Sequence, residues 1–360
     1  MQVNVGMLRL ARQRKGFQQG EAAERLGIAQ ATLSRIENGL AEAKEDLLDR
    51  ASVVYGLPKT FFIQPDPVYG APVSVHPMWR RKADVTMHDM DRIVAELNVR
   101  VMHVRRLLDA AELANDLDIP RFDVEEYGDP ERIAGLLRAH WKVPSGPLKN
   151  LTALVERAGV IVVHSSLGES AVSGVTFAVP GIPPIIALNE EQPSDRLRFS
   201  LAHELGHLVM HRFPTPQMEE EANAFAGAFL MPAVDIRPYF VGRRVDLVLL
   251  AALKPEWKVA MQSLLMRARS LGMLSKNQER YLWQQISARR IRHREPPELD
   301  FPPERPTVIN KVFRIHMDTL QYTLADLGQL LHIHENELES LYDLRPRDGA
   351  RTGPKLKIIK

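Results

Sequence analysis

The sequence predicts an α+β protein that is mainly α-helical. Three observations support this class: short helical patterns at residues 6–62, a long apolar helix-forming stretch at residues 194–210, and three β-branched runs between residues 160 and 188. Helices repeat their apolar positions every three to four residues, whereas strands are short runs bounded by Gly or Pro. We therefore expect an all-α N-terminal domain, a second domain with a small sheet beside a long helix, and a helical C-terminal domain.

Composition sets the outer limits of these predictions. The chain has 360 residues, of which 45% are hydrophobic, so it is long enough for two or three domains. Its formal net charge is only +2, so binding to nucleic acid would depend on local basic faces. There is no cysteine, which excludes disulfides and thiolate metal ligands. Predicted elements and linkers divide the chain into residues 1–64, 65–127, 128–240 and 241–360.

Targeting signals are not evident in the sequence. The first ten residues lack the apolar segment of a signal peptide. No stretch approaches the roughly twenty apolar residues that cross a bilayer. We therefore expect a cytoplasmic protein without a membrane partner.

The N-terminal segment has the pattern of two short helices separated by a turn, which is typical of a helix-turn-helix. Residues 17–26 form one short helical pattern that stops at Gly27, a residue suited to a left-handed turn, and residues 29–39 form the next. Five apolar side chains close a small core: Ala22, Leu26, Ile28, Leu33 and Ile36. This leaves an outward face on the second helix: Gln30, Ala31, Thr32, Ser34 and Arg35.

That outward face suits the major groove of DNA. Gln and Arg are the side chains that pair bidentately with adenine and guanine, and Gln19, at the start of the preceding helix, could contact phosphate. The alternative is a dimerisation or docking module, since four acidic residues offset the basic charge: Glu21, Glu24, Glu37 and Glu42. DNA binding is favoured because the Gln/Arg face follows a correctly placed glycine.

Residues 203–207 form the pattern H-E-x-x-H. On a helix of about 3.6 residues per turn, His203 and His207 share a face, so both imidazoles reach one tetrahedral ion while Glu204 projects beside them. Neutral imidazoles leave a zinc ion Lewis-acidic enough to activate water, and Glu204 would take the proton. The pattern predicts a zinc peptidase site.

A catalytic zinc site needs a third protein ligand, and an acidic cluster follows. Glu219 and Asn223 are spaced by four residues, so Glu219 could bind zinc while Asn223 orients a ligand histidine. Glu220 and Glu221 remain open as ligands, and the whole cluster also suits the first turn of a helix. His211, one turn after His207, is either a donor in the pocket or a polar helix end.

The flanking segments carry weaker signals. Residues 64–72 are rich in Pro and Gly and predict a linker, and Thr86 with Asp89 predicts the cap of a long amphipathic helix. This helix is expected to pack across the peptidase or to pair with a second copy. Residues 317–345 align with the first helix-turn-helix as a degenerate copy whose outward face is acidic, with an ordinary helical hairpin as the alternative.

Two family resemblances follow from these motifs. Residues 6–62 resemble the Cro/C1-type (XRE) helix-turn-helix family through Gln18–Gln19, Leu26–Ile28 and Ala31–Gly39. Residues 130–235 resemble the ImmA/IrrE family of zinc metallopeptidases, a zincin-like, gluzincin-like fold, through Ala202–Leu208, Glu219, Glu221–Asn223 and Leu230–Pro232. The longer metzincin pattern does not fit, since Met210 and Phe213 stand where that pattern has Gly and His.

The resemblances imply roles for single residues. In the first family, Gln19 and Asn38 would touch the DNA backbone, and Gln30, Ala31 and Arg35 would contact bases. In the second, His203, His207 and Glu219 would bind one Zn²⁺ per chain and Glu204 would act as the base. The short gap between His207 and Glu219 leaves the third ligand open among the three glutamates.

The resemblances also imply an activity, which is the cleavage of helix-turn-helix repressors in stress or mobile-element responses. We expect a DNA-binding zinc endopeptidase that cleaves such a repressor or itself, with operator DNA, a repressor substrate and a second copy of the chain as partners. One alternative is a transcription regulator with a sensory, weakly active peptidase domain. Another is an interaction protein of the toxin-antitoxin type with a structural zinc fold. An intact Glu204 favours the first, because a structural site does not need it.

Overall fold

The computed structural model describes residues 3–72, 86–167, 172–344 and 355–358. The helices in these ranges are α1 Val5–Arg14, α2 Gln19–Arg25, α3 Gln30–Glu37, α4 Glu45–Tyr55, α5 Met87–Leu108, α6 Val124–Tyr127, α7 Pro130–His140, α8 Leu151–Arg157, α9 Ser194–Met210, α10 Met218–Leu230, α11 Ala233–Phe240, α12 Leu247–Trp257, α13 Met261–Ser270, α14 Lys276–Ala288, α15 Val308–Arg314, α16 Leu324–Leu331 and α17 Glu335–Tyr342. The strands are β1 Ala111–Ala114, β2 Ile161–Ser165, β3 Gly174–Phe177, β4 Ile185–Asn189 and β5 Lys355–Ile358. The predicted class, α+β and mainly α, is confirmed.

Helices α1 to α4 form the N-terminal domain, which a 3₁₀ turn at Lys59–Ile63 closes. Gly27 has a φ of 65° and makes the left-handed turn between α2 and α3. Four of the five apolar side chains expected in the core are buried, and Ile28 is partly exposed at its edge. The local pattern therefore determines this domain.

Helix α5 belongs to two hydrophobic cores at once. It begins at a capping box in which Thr86 and Asp89 bond to each other's backbone N–H groups, as their spacing predicts. One face packs into the N-terminal domain through Ala95, Val99 and Met102. The opposite face packs under the sheet with six apolar residues: Met90, Ile93, Leu97, Val101, Val104 and Leu107. The apolar residues of α5 are thus buried against other parts of the same chain.

The central sheet has three strands in the order β2–β4–β3, with β2 parallel and β3 antiparallel to β4. Both faces are covered, which explains why the strands are continuous apolar runs. Val162 and Ile186 lie in one core with α9 and α10, whereas Val163 and Ala187 face α5. Strand β3 is the edge beside α9, and among the described residues it pairs only with β4.

Helices α9 and α10 lie side by side against the sheet. Gly206 makes this contact possible, since a Cβ there would lie 2.9 Å from a ring carbon of Phe225. Helices α12 to α14 contribute to the same core through Leu250, Leu264 and Ile286. The limit expected at residue 240 thus falls inside one continuous core.

The C-terminal helices fold back onto α5 and the second face of the sheet. Helix α15 continues into a π-helical turn at Ile315–Thr319, and α16 and α17 follow. His332, with a φ of 53°, occupies the turn between α16 and α17 in the same left-handed conformation as Gly27. A two-stranded sheet of β1 and β5, which the sequence did not predict, joins the last described residues to the end of α5.

A buried ion-pair network connects the modules. Arg14 of α1 lies 2.7 Å from Glu96 of α5 and 2.6 Å from Glu337 of α17. Arg100, one turn after Glu96, donates a hydrogen bond of 3.2 Å to Ser165 at the end of β2. The N-terminal domain, the long helix α5, the sheet and helix α17 therefore meet at one polar cluster.

Candidate metal centre and DNA-binding face

Helix α9 carries His203, Glu204 and His207 on one face. The Nε2 atoms of the two imidazoles are 3.0 Å apart, and the potential ligand atoms of all three residues lie within 4.8 Å of one another. The i, i+4 spacing of the histidines on a regular helix produces this approach directly. The expected juxtaposition is therefore present.

Glu219, in the first turn of α10, faces the same point. Its carboxylate oxygens lie 3.3 Å from Nε2 of His207 and 3.7 Å from Nε2 of His203. Atoms about 2.05 Å from a tetrahedral zinc ion lie about 3.3 Å from each other. The separations of 3.0, 3.3 and 3.7 Å, the last two measured to different oxygens of Glu219, lie near this value.

Hydrogen bonds to the outer ring nitrogens orient both imidazoles. Nδ1 of His203 lies 3.1 Å from Oδ1 of Asn223, so His203 donates there and keeps a lone pair on Nε2. This is the place that the spacing of Glu219 and Asn223 predicted for the amide. Nδ1 of His207 lies 3.0 Å from Nδ1 of His211.

His211 continues a chain of hydrogen bonds to Glu221. Nε2 of His211 lies 3.0 Å from Oε2 of Glu221. Burial, and then the neighbouring His207, lower the pKa of His211, so this ring is neutral. It donates from Nε2 to Glu221 and accepts from Nδ1–H of His207. Glu221 therefore supports a histidine instead of facing the ion position, and Glu219 is the glutamate that faces both imidazoles.

The fit of a divalent ion follows from these bonds. Because the outer nitrogens donate, both Nε2 atoms present lone pairs, and two lone pairs facing each other at 3.0 Å repel unless a cation or proton lies between them. A neighbouring carboxylate adds negative charge to the same point. The residues present fit a zinc ion.

Glu204 is separately held by the sheet. Oγ1 of Thr176, on β3, donates a 2.7 Å hydrogen bond to Oε2 of Glu204. Burial raises the pKa of Glu204, and His207 opposes this rise. Gly174 permits the approach, because a Cβ there would lie 3.2 Å from Cγ of Glu204. A buried carboxylate with a raised pKa is suited to accept a proton near neutral pH.

Most of the residues expected to contact DNA lie on the outer surface of α3. On α3, the side chains of Gln30, Ala31, Thr32 and Arg35 are exposed, and Ser34 is partly buried. Asn38 is exposed, but its amide oxygen accepts a 2.7 Å hydrogen bond from Arg9. These positions keep the outward face of α3 open to a groove.

Two side chains of this domain are engaged internally. Gln19 is partly buried and donates a 3.2 Å hydrogen bond to Glu37. Glu37 is only 3% exposed and receives both hydrogen bonds of a bidentate pair with Arg12, at 2.7 and 2.9 Å. The expectation that Glu37 offsets the basic charge of the surface is corrected, since its charge is buried and paired.

Comparison with known families agrees with both motif sets. Residues 155–269 match the model of a peptidase family described as the IrrE N-terminal-like domain, and residues 8–62 match the model described as helix-turn-helix. The predicted fusion is confirmed. The IrrE-like match includes the imidazole pair, Glu219 and Asn223, and it continues through α13. Among curated proteins, none matches the chain.

Three features of the IrrE-like site were missed by sequence reasoning. These are the Thr176 bond to Glu204, the His207–His211–Glu221 chain, and the close approach at Gly174. A polar Thr within an apolar strand was the available signal for the first. The remaining two depend on contacts between elements that no local spacing encodes.

Proposed function

We propose that the chain is a DNA-binding, zinc-dependent endopeptidase that acts as a transcription regulator by cleaving a helix-turn-helix repressor or itself. The observation that carries this proposal is the convergence of His203, His207 and Glu219, with Glu204 held beside them by Thr176. A site that only stabilised the fold would not need a buried, individually oriented glutamate. The match of residues 155–269 to a peptidase family supports the same activity.

Three side chains of this chain would hold one Zn²⁺: His203, His207 and Glu219. When bound, zinc supplies a Lewis acid that polarises the scissile carbonyl and makes water more acidic. Glu204 accepts a proton from the attacking water on its carboxylate and then passes that proton to the leaving amine. Thr176 keeps the carboxylate aimed at the site, and the His211–Glu221 pair keeps His207 in the tautomer that leaves Nε2 open.

The edge of β3 provides a place for an extended peptide. Strand β3 lies against α9, and its outer edge has no described strand partner. A peptide can add to such an edge by main-chain hydrogen bonds, which hold it without regard to its side chains. This position would lay a scissile bond beside Glu204.

The DNA-binding part of the proposal rests on α3. Its exposed Gln30 and Arg35 are suited to base edges in the major groove of an operator, and a pair of chains would contact two half-sites. We retain the homodimer as part of the proposal because helix-turn-helix proteins commonly read symmetric sites. Among the described helices, none is both long and apolar enough to cross a bilayer.

The proposal is tested by incubating zinc-loaded protein with purified XRE-type repressors encoded near its own gene and following fragments by mass spectrometry. We expect one or two discrete cuts in the repressor or in the chain itself. Glu204→Gln should retain zinc and operator affinity but lose cleavage, since the amide cannot accept the proton. Cleavage at an unchanged rate by Glu204→Gln would refute the assigned role of Glu204.

A second function is favoured by the buried network around Arg14. Because Arg14 pairs with both Glu96 and Glu337, a change in the peptidase or C-terminal module can reach the DNA-binding domain without cleavage. In this alternative the peptidase domain is a sensor with little turnover. Metal-dependent operator affinity that persists in Glu204→Gln would support it.

A further inference from the structure

A cavity of about 580 Å³ opens beside His207 and His211. One wall is β3 and the residues that follow it, including Phe177 and Val179. The linker segment Tyr69–Pro72, which follows the N-terminal domain, also lines the cavity. The end of the sheet, the linker and the two histidines therefore border one space.

The linker wall is fixed in place by α5. Asn98 accepts a 2.7 Å hydrogen bond from the backbone N–H of Tyr69 and donates one of 3.0 Å to its carbonyl oxygen. Arg105 donates a 2.7 Å bond to the hydroxyl of Tyr69, whose ring contacts Phe177 edge-on with centroids 6.4 Å apart. These bonds hold Tyr69 beside Phe177, and Phe177, Val179 and Leu208 give the cavity an apolar part that suits the apolar side chains of an extended peptide.

Among the described residues that line the cavity, two arginines carry a permanent charge. Arg121 and Arg212 both border the cavity, and Arg212 directly follows His211. A backbone hydrogen bond of 3.1 Å from Phe122 to Val209 holds the segment of Arg121 against the end of α9. Positive charge therefore borders the cavity near the end of α9.

Neither arginine has an acidic partner in the part of the chain that the structure describes. The carboxylates nearest in sequence to Arg121 are already engaged, since Asp123 accepts a 2.9 Å hydrogen bond from the backbone N–H of Glu125 and Asp118 lies 2.8 Å from His140. Both side chains are exposed where they border the cavity, and desolvation, followed by the charge of Arg212, lowers the pKa of Arg121. A carboxylate of a bound peptide could accept hydrogen bonds from these guanidinium groups.

We propose that Arg121 and Arg212 form a subsite for an acidic side chain, so that the chain selects peptides with Asp or Glu near the bond to be cleaved. This inference rests on the proposed peptidase function and names its substrate class. Arg212 lies two residues beyond the end of α9 at Met210 and borders the same cavity as His207. The acidic residue is thus expected within a few positions of the scissile bond, and the cleavage assay determines which position is selected.

Cleavage of defined peptide mixtures tests the subsite. Fluorogenic peptides with an apolar centre are prepared in three sets that differ only in Glu, Gln or Lys at one position, and each set is given to the zinc-loaded full chain. We expect kcat/KM to be roughly ten- to a hundred-fold higher for Glu than for Gln at the selected position, the range for a hydrogen bond to a charged group. The double variant Arg121→Glu/Arg212→Glu should invert this order and favour Lys.

The matched control is Arg244→Glu, an exposed arginine that does not line the cavity. It makes the same change of charge and should keep the preference for Glu. An equal loss of preference in this variant would show that the effect comes from the overall charge, and it would overturn the assignment to Arg121 and Arg212.

Peptide binding separates this inference from the proposed function. The affinity of Glu204→Gln for the same peptides is measured by fluorescence anisotropy. If the peptides with Glu bind more tightly but the unmodified chain does not cleave them, the subsite is supported and the proposed peptidase activity is refuted. If the chain cleaves peptides without preferring Glu, the peptidase activity is supported and the subsite is refuted. If the double charge reversal lowers operator affinity and leaves peptide selection unchanged, the two arginines contact DNA and the subsite is refuted.

Discussion

Replacing Asn223 with Ala tests how the metal site is held together. The change removes the Oδ1 atom that lies 3.1 Å from Nδ1 of His203. The His203 ring would then be free to rotate and to change tautomer, so its Nε2 lone pair would face the ion position for less of the time. We expect weaker zinc binding in an otherwise folded protein.

The magnitude follows from the environment of His203. Loss of a hydrogen bond to a ligand histidine typically costs 10- to 100-fold in metal affinity, or about 1.4 to 2.7 kcal/mol. The side chain of His203 is 12% exposed, so water can partly replace the amide oxygen. The loss should therefore lie near the lower limit, about tenfold in Kd.

Competition with a chromophoric zinc chelator at pH 7 measures this change. Asn336→Ala, which removes an exposed amide from α17, is the control and should bind zinc like the unmodified chain. Asn223→Asp restores an acceptor and should recover the affinity. The same Kd in Asn223→Ala and in the unmodified chain would refute the view that this amide orients His203.

Three further outcomes are expected. Gly206→Ala should lower the free energy of unfolding in urea by about 1 to 3 kcal/mol, because its Cβ would lie 2.9 Å from the Phe225 ring; Gly135→Ala, where a Cβ meets nothing within 4 Å, should not destabilise, and equal losses would contradict the packing argument. Burial lowers the pKa of His103 from 6.5 to about 3, so His103 stays neutral in the fold while the unfolded chain takes up a proton below about pH 6.5. The stability contributed by the neutral His103 ring is present above pH 6.5 and is lost as the pH falls toward 3. In His103→Asn, the slope of the unfolding free energy against pH between pH 6 and 4 should therefore be smaller by up to about 1.4 kcal/mol per pH unit. An unchanged slope would exclude a buried neutral ring. Arg35→Ala should cost about 1 to 3 kcal/mol of operator affinity and relax selection at one base pair in a binding assay, whereas an equal loss on random duplex would assign Arg35 to phosphate.

The parts of the fold that the sequence predicted are those set by local chemistry. Gly27 marks a turn because few other residues adopt a positive φ, and Thr86 with Asp89 marks a helix start because each satisfies the other's backbone N–H. The His203–His207 pair follows from helical periodicity alone. These features need only a few consecutive residues, so no tertiary contact had to be known.

The unpredicted parts depend on contacts between distant segments. Thr176 meets Glu204 only because β3 lies against α9, and β1 pairs with a strand more than 240 residues later in the chain. Glu37 was expected to be a surface charge because acidic residues on a helix usually face water. In the structure its carboxylate is buried and accepts two hydrogen bonds from Arg12 of α1. Such pairings are decided by the arrangement of elements, which spacing does not encode.

Sharing of α5 between two cores has a consequence for any cut in the linker. Cleavage between residues 64 and 86 would break the covalent connection between the N-terminal domain and α5. Ala95, Val99 and Met102 would still pack against the N-terminal domain, and Arg14 would still pair with Glu96 and Glu337. The two fragments would remain noncovalently associated after cleavage. Release of the N-terminal domain would therefore also require α5 to dissociate from it.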